Sequence, residues 1–520
     1  MTGTELGRSE TGGAPSQVVP RSQEKWILAA TVIASTMAFS DMTIVNVALP
    51  VLQRELGITF SALQWVVESY TLILSALILV GGAIGDVYGR RRVFATGIVI
   101  FAVASAGCGL SQSAGLLIAA RAVQGLGAAL MMPGSLAIVS ASFPRDRQGH
   151  GIGIWSSFTG MSTALAPALG GWIIDALSWH AAFLINLPLA AISLALTLKY
   201  VPESRQERQR RLDVTGMLLV IVGLGALTYG LINAGEWGFG DLRGFGPILA
   251  GIIALALLVV AESRAADPMI PLPLFRVPGF GAIQAFTFLL WAALHGTAFF
   301  VPLRLMQVHG FAPTEAGAAL LPLVVTSSVL SRYFGRLTDR IAPRTLLVVG
   351  ACLTGAGFLY LAVPDSGARY MVGFFPALSL MGIGMGVCQV PVTVVAMNAA
   401  GRANVGTSSA INNAAARIGG LVAIAVFGLI LVNGYDDALA KSLHDAGLPV
   451  AVQLALEQQH GKLAGSVLPA GLAPDQHRLA AMIIGDAFVA GYRRAMVVAA
   501  AMAFASVWIA ARCLAKSPLR

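Results

Sequence analysis

The sequence predicts an all-α, polytopic membrane protein built as two six-helix bundles with two extra spans inserted between them. Three observations carry that prediction. Of 520 residues, 56% are hydrophobic and only 11% charged, against about 25% charged in an ordinary soluble domain. Apolar runs of the roughly 20 residues that a helix needs to cross hydrocarbon recur about fourteen times along the chain. Two charged turns echo each other, Gly82-Ala-Ile-Gly85-Asp86-Val-Tyr-Gly89-Arg90-Arg91 and Gly335-Arg336-Leu-Thr-Asp339-Arg340-Ile-Ala-Pro-Arg344, and each joins two long apolar runs.

In chain order, the spans fall at 26–50, 63–85, 93–112, 115–140, 151–174 and 180–201, which make a first bundle over 26–201. Two more, at 213–234 and 245–262, lie in a linker region over 202–278. The last six, at 279–303, 314–335, 344–363, 370–396, 408–433 and 490–512, make a second bundle over 279–512. The insertion follows from spacing: the echoing turns start 253 residues apart, whereas six spans with short loops need about 180–200 residues. Charged stretches at 202–213 and 262–278 bracket the extra pair. The segment 434–489 carries Asp436, Asp437, Lys441, Glu457, Lys462 and Asp475 among alanines and leucines. It reads as short amphipathic helices outside the membrane, a tolerated surface insertion in preference to a substrate lid, because long loops cost little. The 58 glycines suit spans whose backbones approach closely in lipid.

A net charge of +9 raises the question of nucleic acid, but the basic residues sit in the turns between spans and form no single stripe. Alternate turns hold Arg90, Arg91, Arg92, Arg145, Arg147, Arg205, Arg208, Arg210, Arg211, Arg264, Arg276, Arg336, Arg340, Arg344 and Arg402, while the others hold little beyond Arg54, Arg243, Arg304 and Arg369. That asymmetry predicts a cell-membrane protein (the inner membrane where there are two) with its tails, 1–25 and 513–520, in the cytoplasm. Residues 1–24 include Glu5, Glu10 and Glu24 and lack the layout of a cleaved signal peptide. Cys108, Cys352, Cys388 and Cys513 show no paired spacing, so neither a disulfide framework nor a metal site is expected, and no cofactor. No nucleotide loop, metal-ligand cluster or nucleophile constellation points to an enzyme, and no soluble stretch is long enough for the signalling domain of a sensor. The expected partners are a small-molecule substrate, protons and lipid, and the sequence names no periplasmic adaptor.

Several segments narrow the reading. The first span ends Asp41-Met-Thr43-Ile-Val-Asn46-Val-Ala-Leu-Pro50, and the fourth carries Leu117-Ile-Ala-Ala-Arg121-Ala-Val-Gln124-Gly125-Leu-Gly127. The fifth contains Ala166-Pro167-Ala-Leu-Gly170-Gly171, followed by Trp179-His-Ala-Ala-Phe183-Leu-Ile-Asn186-Leu-Pro188 and, much later, Arg402-Ala-Asn-Val-Gly406-Thr-Ser-Ser-Ala-Ile-Asn412-Asn413-Ala-Ala-Ala-Arg417-Ile-Gly419-Gly420. Together with the charged turns, these resemble the fourteen-span drug/proton antiporter branch of the major facilitator superfamily, over about 26–433. The resemblance implies alternating access around a central site, export of amphipathic drugs, dyes or other small toxic compounds driven by the proton gradient, and proton coupling through Asp41 and Arg121. It also implies an exporter's kink at Pro167, Gly170 and Gly171. Ala166 and Ser162 depart from the pattern there, which bears on the direction of transport. The rival readings are a dedicated exporter of one metabolite or natural product, an importer, and a membrane sensor or enzyme on a transporter scaffold.

The residues also have a physical reading of their own. Asp86 can accept hydrogen bonds at the positive end of a helix, Gly89 allows a turn that a side chain would obstruct, and Arg90 and Arg91 pair with acids or helix ends, making a cytoplasmic latch that begins at Gly82 and has Asp146 as an available partner. Pro167 removes a backbone hydrogen bond and bends its helix, while Gly170 and Gly171 permit a close crossing. Charges at membrane depth are costly and turn towards a partner or a cavity. Asp41 lies fifteen residues after Trp26, Glu68 five residues into a span running the other way, and Arg121 six residues into another. At about 1.5 Å per residue all three share one depth. That predicts an acid–base cluster in which protonation of Asp41 or Glu68 is coupled to Arg121, with a static salt bridge as the rival. A central cavity is expected to draw on Asn46, Trp65, Tyr70, Gln124, Trp155, Phe158, Phe286 and Trp291, with Asn412 and Asn413 as polar members; Arg417 and His295 are further candidates, for which tying helices together and packing as a hydrogen-bonded core histidine are the favoured roles. Acids with aromatic walls would favour amphipathic, often cationic, molecules.

Overall fold

The computed structural model describes residues 20–144, 147–204, 213–265, 268–338, 340–363, 369–399, 405–445, 450–469 and 472–514. The expected partner Asp146, the echoing Asp339, Arg402 and the basic stretch 205–212 lie outside them. Among the described residues every regular element is helical, as lipid requires of a spanning chain whose backbone groups must be satisfied within each segment. In order they are α1 (Arg21–Leu56), α2 (Phe60–Tyr88), α3 (Arg90–Gly109), α4 (Ala114–Ser142), α5 (Gln148–Ala176), α6 (Trp179–Leu184), α7 (Asn186–Tyr200), α8 (Val214–Trp237), α9 (Leu242–Arg264), α10 (Phe280–Gln307), α11 (Pro313–Ala318), α12 (Leu321–Leu337), α13 (Pro343–Ala362), α14 (Tyr370–Gly373), α15 (Phe375–Ala399), α16 (Val405–Asp445), α17 (Val450–Gln458) and α18 (Pro474–Cys513).

Among the described residues, thirteen helical segments are long and apolar enough to cross a membrane. The fourteenth expected span, 151–174, is helical within α5 but is not one of them. Ser156, Ser157, Thr159, Ser162 and Thr163 dilute its apolar character. Helices α1 to α7 pack into one group and α10 to α18 into another. The inserted pair α8 and α9 pack on each other, and α8 also lies against α2 and α16, so it sits in the seam between the groups.

The two groups meet at the end away from the arginine-rich turns. There α5 crosses α11 with almost no side chain between the backbones: a Cβ on Gly171 would stand 2.3 Å from the Pro313 carbonyl oxygen, and one on Gly317 would stand 2.1 Å from that of Pro167. The Thr314 backbone N–H donates to Asp175 Oδ2 (2.8 Å), and Phe60 of α2 packs edge-on against Phe299 of α10. The Pro167, Gly170 and Gly171 segment therefore belongs to the contact between groups, with Gly170 seated on Ile44 of α1.

The segment 434–489 is less separate than the sequence suggests. Its first part continues α16 to Asp445, and its last part is the start of a 40-residue α18. Between them α17 and a 3-10 turn, His460–Gly465, form a cap whose Val452, Leu456 and Leu463 are buried. Gln53 of α1 donates to the Lys462 carbonyl (2.9 Å) and accepts from Gln307 of α10 (2.6 Å). This is a packed cap that joins both groups, not a loose surface insertion, because its leucines have an apolar floor to cover.

Gly171→Ala should cost the closed far end about 1–3 kcal/mol through overpacking. Spin-label distances between the adjoining ends of α5 and α11 should shift towards a separated population, and an unchanged distribution would show that the crossing absorbs the methyl.

Candidate functional site

Asp41 on α1 and Arg121 on α4 form an ion pair in which both side chains are 1% exposed. The pair is embedded in a closed hydrogen-bond network. Arg121 Nη1 also donates to Gln124 Oε1 (2.7 Å) and Nε to the Val66 carbonyl of α2 (3.1 Å). Gln124 Nε2 donates to Asp41 Oδ1 (3.0 Å) and to Ser105 Oγ of α3 (3.1 Å). Asn186 Nδ2 at the head of α7 reaches the same two atoms at 3.4 and 3.0 Å. The guanidinium carbon stands 4.4 Å from the ring centre of Tyr70, a cation–π contact at a desolvated site. Five helices thus converge on one charge pair, which can switch only as a unit: protonating Asp41 would cancel the attraction while leaving Arg121 its backbone and aromatic partners.

Glu68 takes no part in it. Its carboxyl is fully buried and neither oxygen has a hydrogen-bond partner. The common depth is real, but side chains on a helix step about 100° per residue. Val66 and Tyr70 present their side of α2 to Arg121, which leaves Glu68 facing away. The predicted three-membered cluster is therefore a pair.

A cavity of about 810 Å³ opens between α5 and α12, lined by Ser156, Ser157, Phe158, Gly160, Met161, Ala164 and Leu165 on one side and by Val325, Ser327, Ser328, Val329, Ser331 and Arg332 on the other, with Gln389 of α15. These residues lie towards the ends of α5 and α12 that carry the basic turns, so the groups are apart there and together at the far end. The polarity of α5 has its reason here, since a span that lines a cavity is not obliged to be apolar. A smaller cavity of about 110 Å³, between Trp291, Gln389, Asn412 and Asn413, adjoins it through Gln389.

Of the residues expected to line a cavity, Phe158, Trp291, Asn412 and Asn413 do so. Most of the others are engaged elsewhere. Phe286 is fully buried in the apolar core, Trp65 packs on Tyr229 of α8, and Tyr70 and Gln124 belong to the charge network. Trp155 donates to Ser135 Oγ of α4 (2.8 Å). His295 Nδ1 is 2.9 Å from the Trp291 carbonyl of its own helix, and Arg417 reaches Met42 Sδ of α1 at 3.8 Å. Asn46 Oδ1 is buried without a partner. Large side chains on helices covered on all faces give no sign of which neighbour they meet. The serines of α5 and α12 were the better signal, because hydroxyls repeated along a span must face polar company or themselves.

At the basic end, Asp86 accepts from Arg90 Nε at 2.9 Å. Gly89, at φ +106°, forms the joint between α2 and α3, where a Cβ would also strike the Glu203 carboxylate at 2.6 Å. Glu203, just beyond α7, accepts from the Arg91 backbone N–H (3.1 Å), and Arg90 N donates to the Ser204 carbonyl (2.9 Å). The charged turn is thus fastened to the end of α7 within its own group. Gly82 has only ordinary contact; the close approach in α2 belongs to Gly81, whose Cβ would meet the Ala129 carbonyl oxygen at 2.1 Å.

Comparison with known proteins agrees with this architecture. The family model described as Major Facilitator Superfamily matches residues 31–424. The chain is 35% identical over 484 residues to the multidrug resistance protein Stp of Mycobacterium tuberculosis (strain CDC 1551 / Oshkosh), covering 91% of this chain and 89% of that one. It is 33% identical over 488 residues to the tetracenomycin C resistance and export protein of Streptomyces glaucescens, covering 93% and 90%. In fold it resembles a bacterial homologue of the human lysosomal transporter Spinster in an inward-facing, unoccupied conformation, with a TM-score of 0.62 at 16% identity over 96% of this chain and all of that one.

Arg121→Ala should destabilise the purified protein by about 3–5 kcal/mol, because it strands a buried carboxylate, and Arg121→Lys by less, since an ammonium lacks the planar fork. Denaturation of the double variant Asp41→Asn/Arg121→Gln should recover part of that loss through coupling. Strict additivity of the single changes would mean that the pair carries no coupling.

Proposed function

The chain belongs to the Major Facilitator Superfamily, and on that premise we propose that it exports bulky amphipathic compounds in exchange for protons by alternating access. The observation that carries the reading is the buried Asp41–Arg121 pair, held apart from a large cavity between α5 and α12. A pair with no substrate contact has a reason to be buried if protonation, not ligand binding, is what it reports. The relatives named for multidrug resistance and for export support the outward direction.

In this reading the basic end faces the cytoplasm, by the usual bias of arginine and lysine, and the present state receives substrate from inside. Once the loaded chain has turned to the far side and released its cargo, a proton from there adds to a carboxylate oxygen of Asp41 and removes its charge. Arg121 then keeps the Val66 carbonyl and the Tyr70 ring, while Gln124 and Asn186 lose their charged acceptor. The contacts among α1, α3, α4 and α7 weaken together, and the groups can rock. Loss of the proton towards the cytoplasm restores the pair and this state. The fastened turn of Asp86, Gly89 and Glu203 keeps α2, α3 and α7 moving as one body.

The cavity also refines the substrate. A volume of about 810 Å³ suits a drug-sized molecule. Its described lining offers serine hydroxyls, an amide and apolar side chains, with Arg332 as the one charged group and no carboxylate. The expected preference for cations rested on acids in that wall, and Asp41 and Glu68 are both buried away from it. Neutral or anionic molecules bearing hydroxyl and carbonyl groups fit this wall better.

Inverted vesicles with an imposed pH gradient test the reading, with tetracenomycin C, a neutral macrolide and cationic ethidium as the panel. Gradient-driven uptake of an uncharged or anionic member is expected, and Asp41→Asn should abolish it while the protein remains in the membrane. Normal gradient-driven uptake by Asp41→Asn would remove Asp41 from the mechanism, and uptake of ethidium alone would overturn the substrate assignment.

A further inference from the structure

Glu68 is a carboxyl at membrane depth that the Asp41–Arg121 pair does not use, and its surroundings are unusual. It is fully buried and both oxygens lack a hydrogen-bond partner. An ionised carboxylate in that condition would be very costly, and such a group keeps its proton instead. It lies in the seam where the two packed groups and the inserted pair meet. One turn before it, Gln64 donates to the Ile424 carbonyl of α16 (2.9 Å), and Trp65 packs on Tyr229 of α8 with ring centres 6.0 Å apart. One turn after it, Leu72 packs with Leu224 of α8 and Leu421 of α16 in one apolar cluster.

Those contacts fix the level of Glu68 on α8. Trp65 meets Tyr229, and Leu72 lies beside Gly225, where an added Cβ would be 3.4 Å from Leu72 Cδ2. The stretch of α8 opposite Glu68 therefore contains Thr228, which is 1% exposed and whose hydroxyl also lacks a partner. Two unsatisfied polar groups at one level of a closing seam form a site with what it needs to hold a proton, and a water when the seam parts.

The ionisable groups on the elements packed against α2 do not reach it. Asp41 of α1 and Arg121 of α4 hold each other on the opposite side, and Arg90 of α3 pairs with Asp86 at the basic end. Tyr229 of α8 is taken up by Trp65, and Glu236 of α8 accepts from Ser61, nearly two turns away. Arg417 of α16 reaches Met42 of α1, and Lys462 of the cap offers its carbonyl to Gln53, beyond the ends of the spans. Nothing on the described neighbours supplies a counter-charge.

We propose that Glu68 is a second proton-binding site, separate from Asp41, which holds its proton while α2, α8 and α16 are packed together and exchanges it when the far end of the seam opens. In the export cycle proposed above, on which its role in transport rests, one further proton then crosses with each turnover, picked up at Glu68 from water on one side and released to water on the other. The inserted helix α8 supplies one wall of this site, which gives the extra pair a function beyond filling space.

Infrared spectra of the full chain in lipid at neutral pH decide the first half. A protonated-carboxyl band should be present in the wild type, absent in Glu68→Gln, restored in Glu68→Asp and retained in Asp41→Asn. The same band in Glu68→Gln would overturn the proposal. The second half is read with the panel compound that the wild type exports: at one unit of pH difference and no membrane potential, the steady-state gradient should fall about tenfold in Glu68→Gln, and an unchanged gradient would remove Glu68 from the cycle. If the wild type exports no panel compound while the band tracks Glu68, the export reading falls and the proton site stands.

Discussion

Burying a guanidinium at membrane depth is the constraint from which most of the first helical group follows. Arg121 cannot shed its proton, so the chain must bring an anion and hydrogen-bond acceptors to it. Asp41 supplies the charge, Val66 a backbone carbonyl, Gln124 a relay, and Asn186 and Ser105 close the circuit. Each comes from a different helix or turn, so satisfying one cation sets the mutual rotation of α1, α2, α3, α4 and α7. Small residues finish the job: a Cβ on Gly125 would strike the Tyr70 carbonyl oxygen at 2.5 Å, and one on Gly127 the Phe101 backbone nitrogen at 2.6 Å. The ring of Tyr70 can lie on the guanidinium because the helices come this close.

The second group solves a similar problem differently. Arg304 of α10 is 2% exposed, with its guanidinium 5.0 Å from the ring centre of Phe374 and 4.7 Å from that of Tyr492. Aromatic faces take the place of the acid, and Nη1 donates to the Leu361 carbonyl at 3.4 Å. The two groups therefore share a fold pattern without sharing electrostatics. Among the described residues only the first places its buried cation beside a carboxylate, which is why proton-linked movement is assigned to that side.

How much of this was legible depended on which quantity the sequence encodes. Thirteen of the fourteen expected spans follow from hydrophobic length, and the pairing of Asp41 with Arg121 follows from the cost of leaving either alone in lipid. Depth is also readable, since rise per residue is fixed. Azimuth is not: Glu68 has the predicted depth and the opposite facing, and the partner surface of α2 becomes visible only when α8 and α16 are in place. The aromatic residues failed for the same reason, since Trp65, Tyr70, Trp155 and Phe286 look alike in sequence whether they meet a cavity or another helix. Polar residues in spans were more informative, and the serines of α5 and α12 mark the cavity that the aromatics did not.

The hydroxyl-rich character of α5 has a consequence for how the protein is made. A segment with Ser156, Ser157, Thr159, Ser162 and Thr163 along it, interrupted by Pro167, gains little from entering hydrocarbon on its own, and insertion during synthesis is governed by that gain. Its neighbours must compensate. Trp155 is held by Ser35 of α1 and Ser135 of α4, contacts that offset the polarity of α5 once those helices lie beside it. The span that lines the cavity is thus among the least apolar of those expected, and the polar company it needs in the bilayer is supplied by α1 and α4.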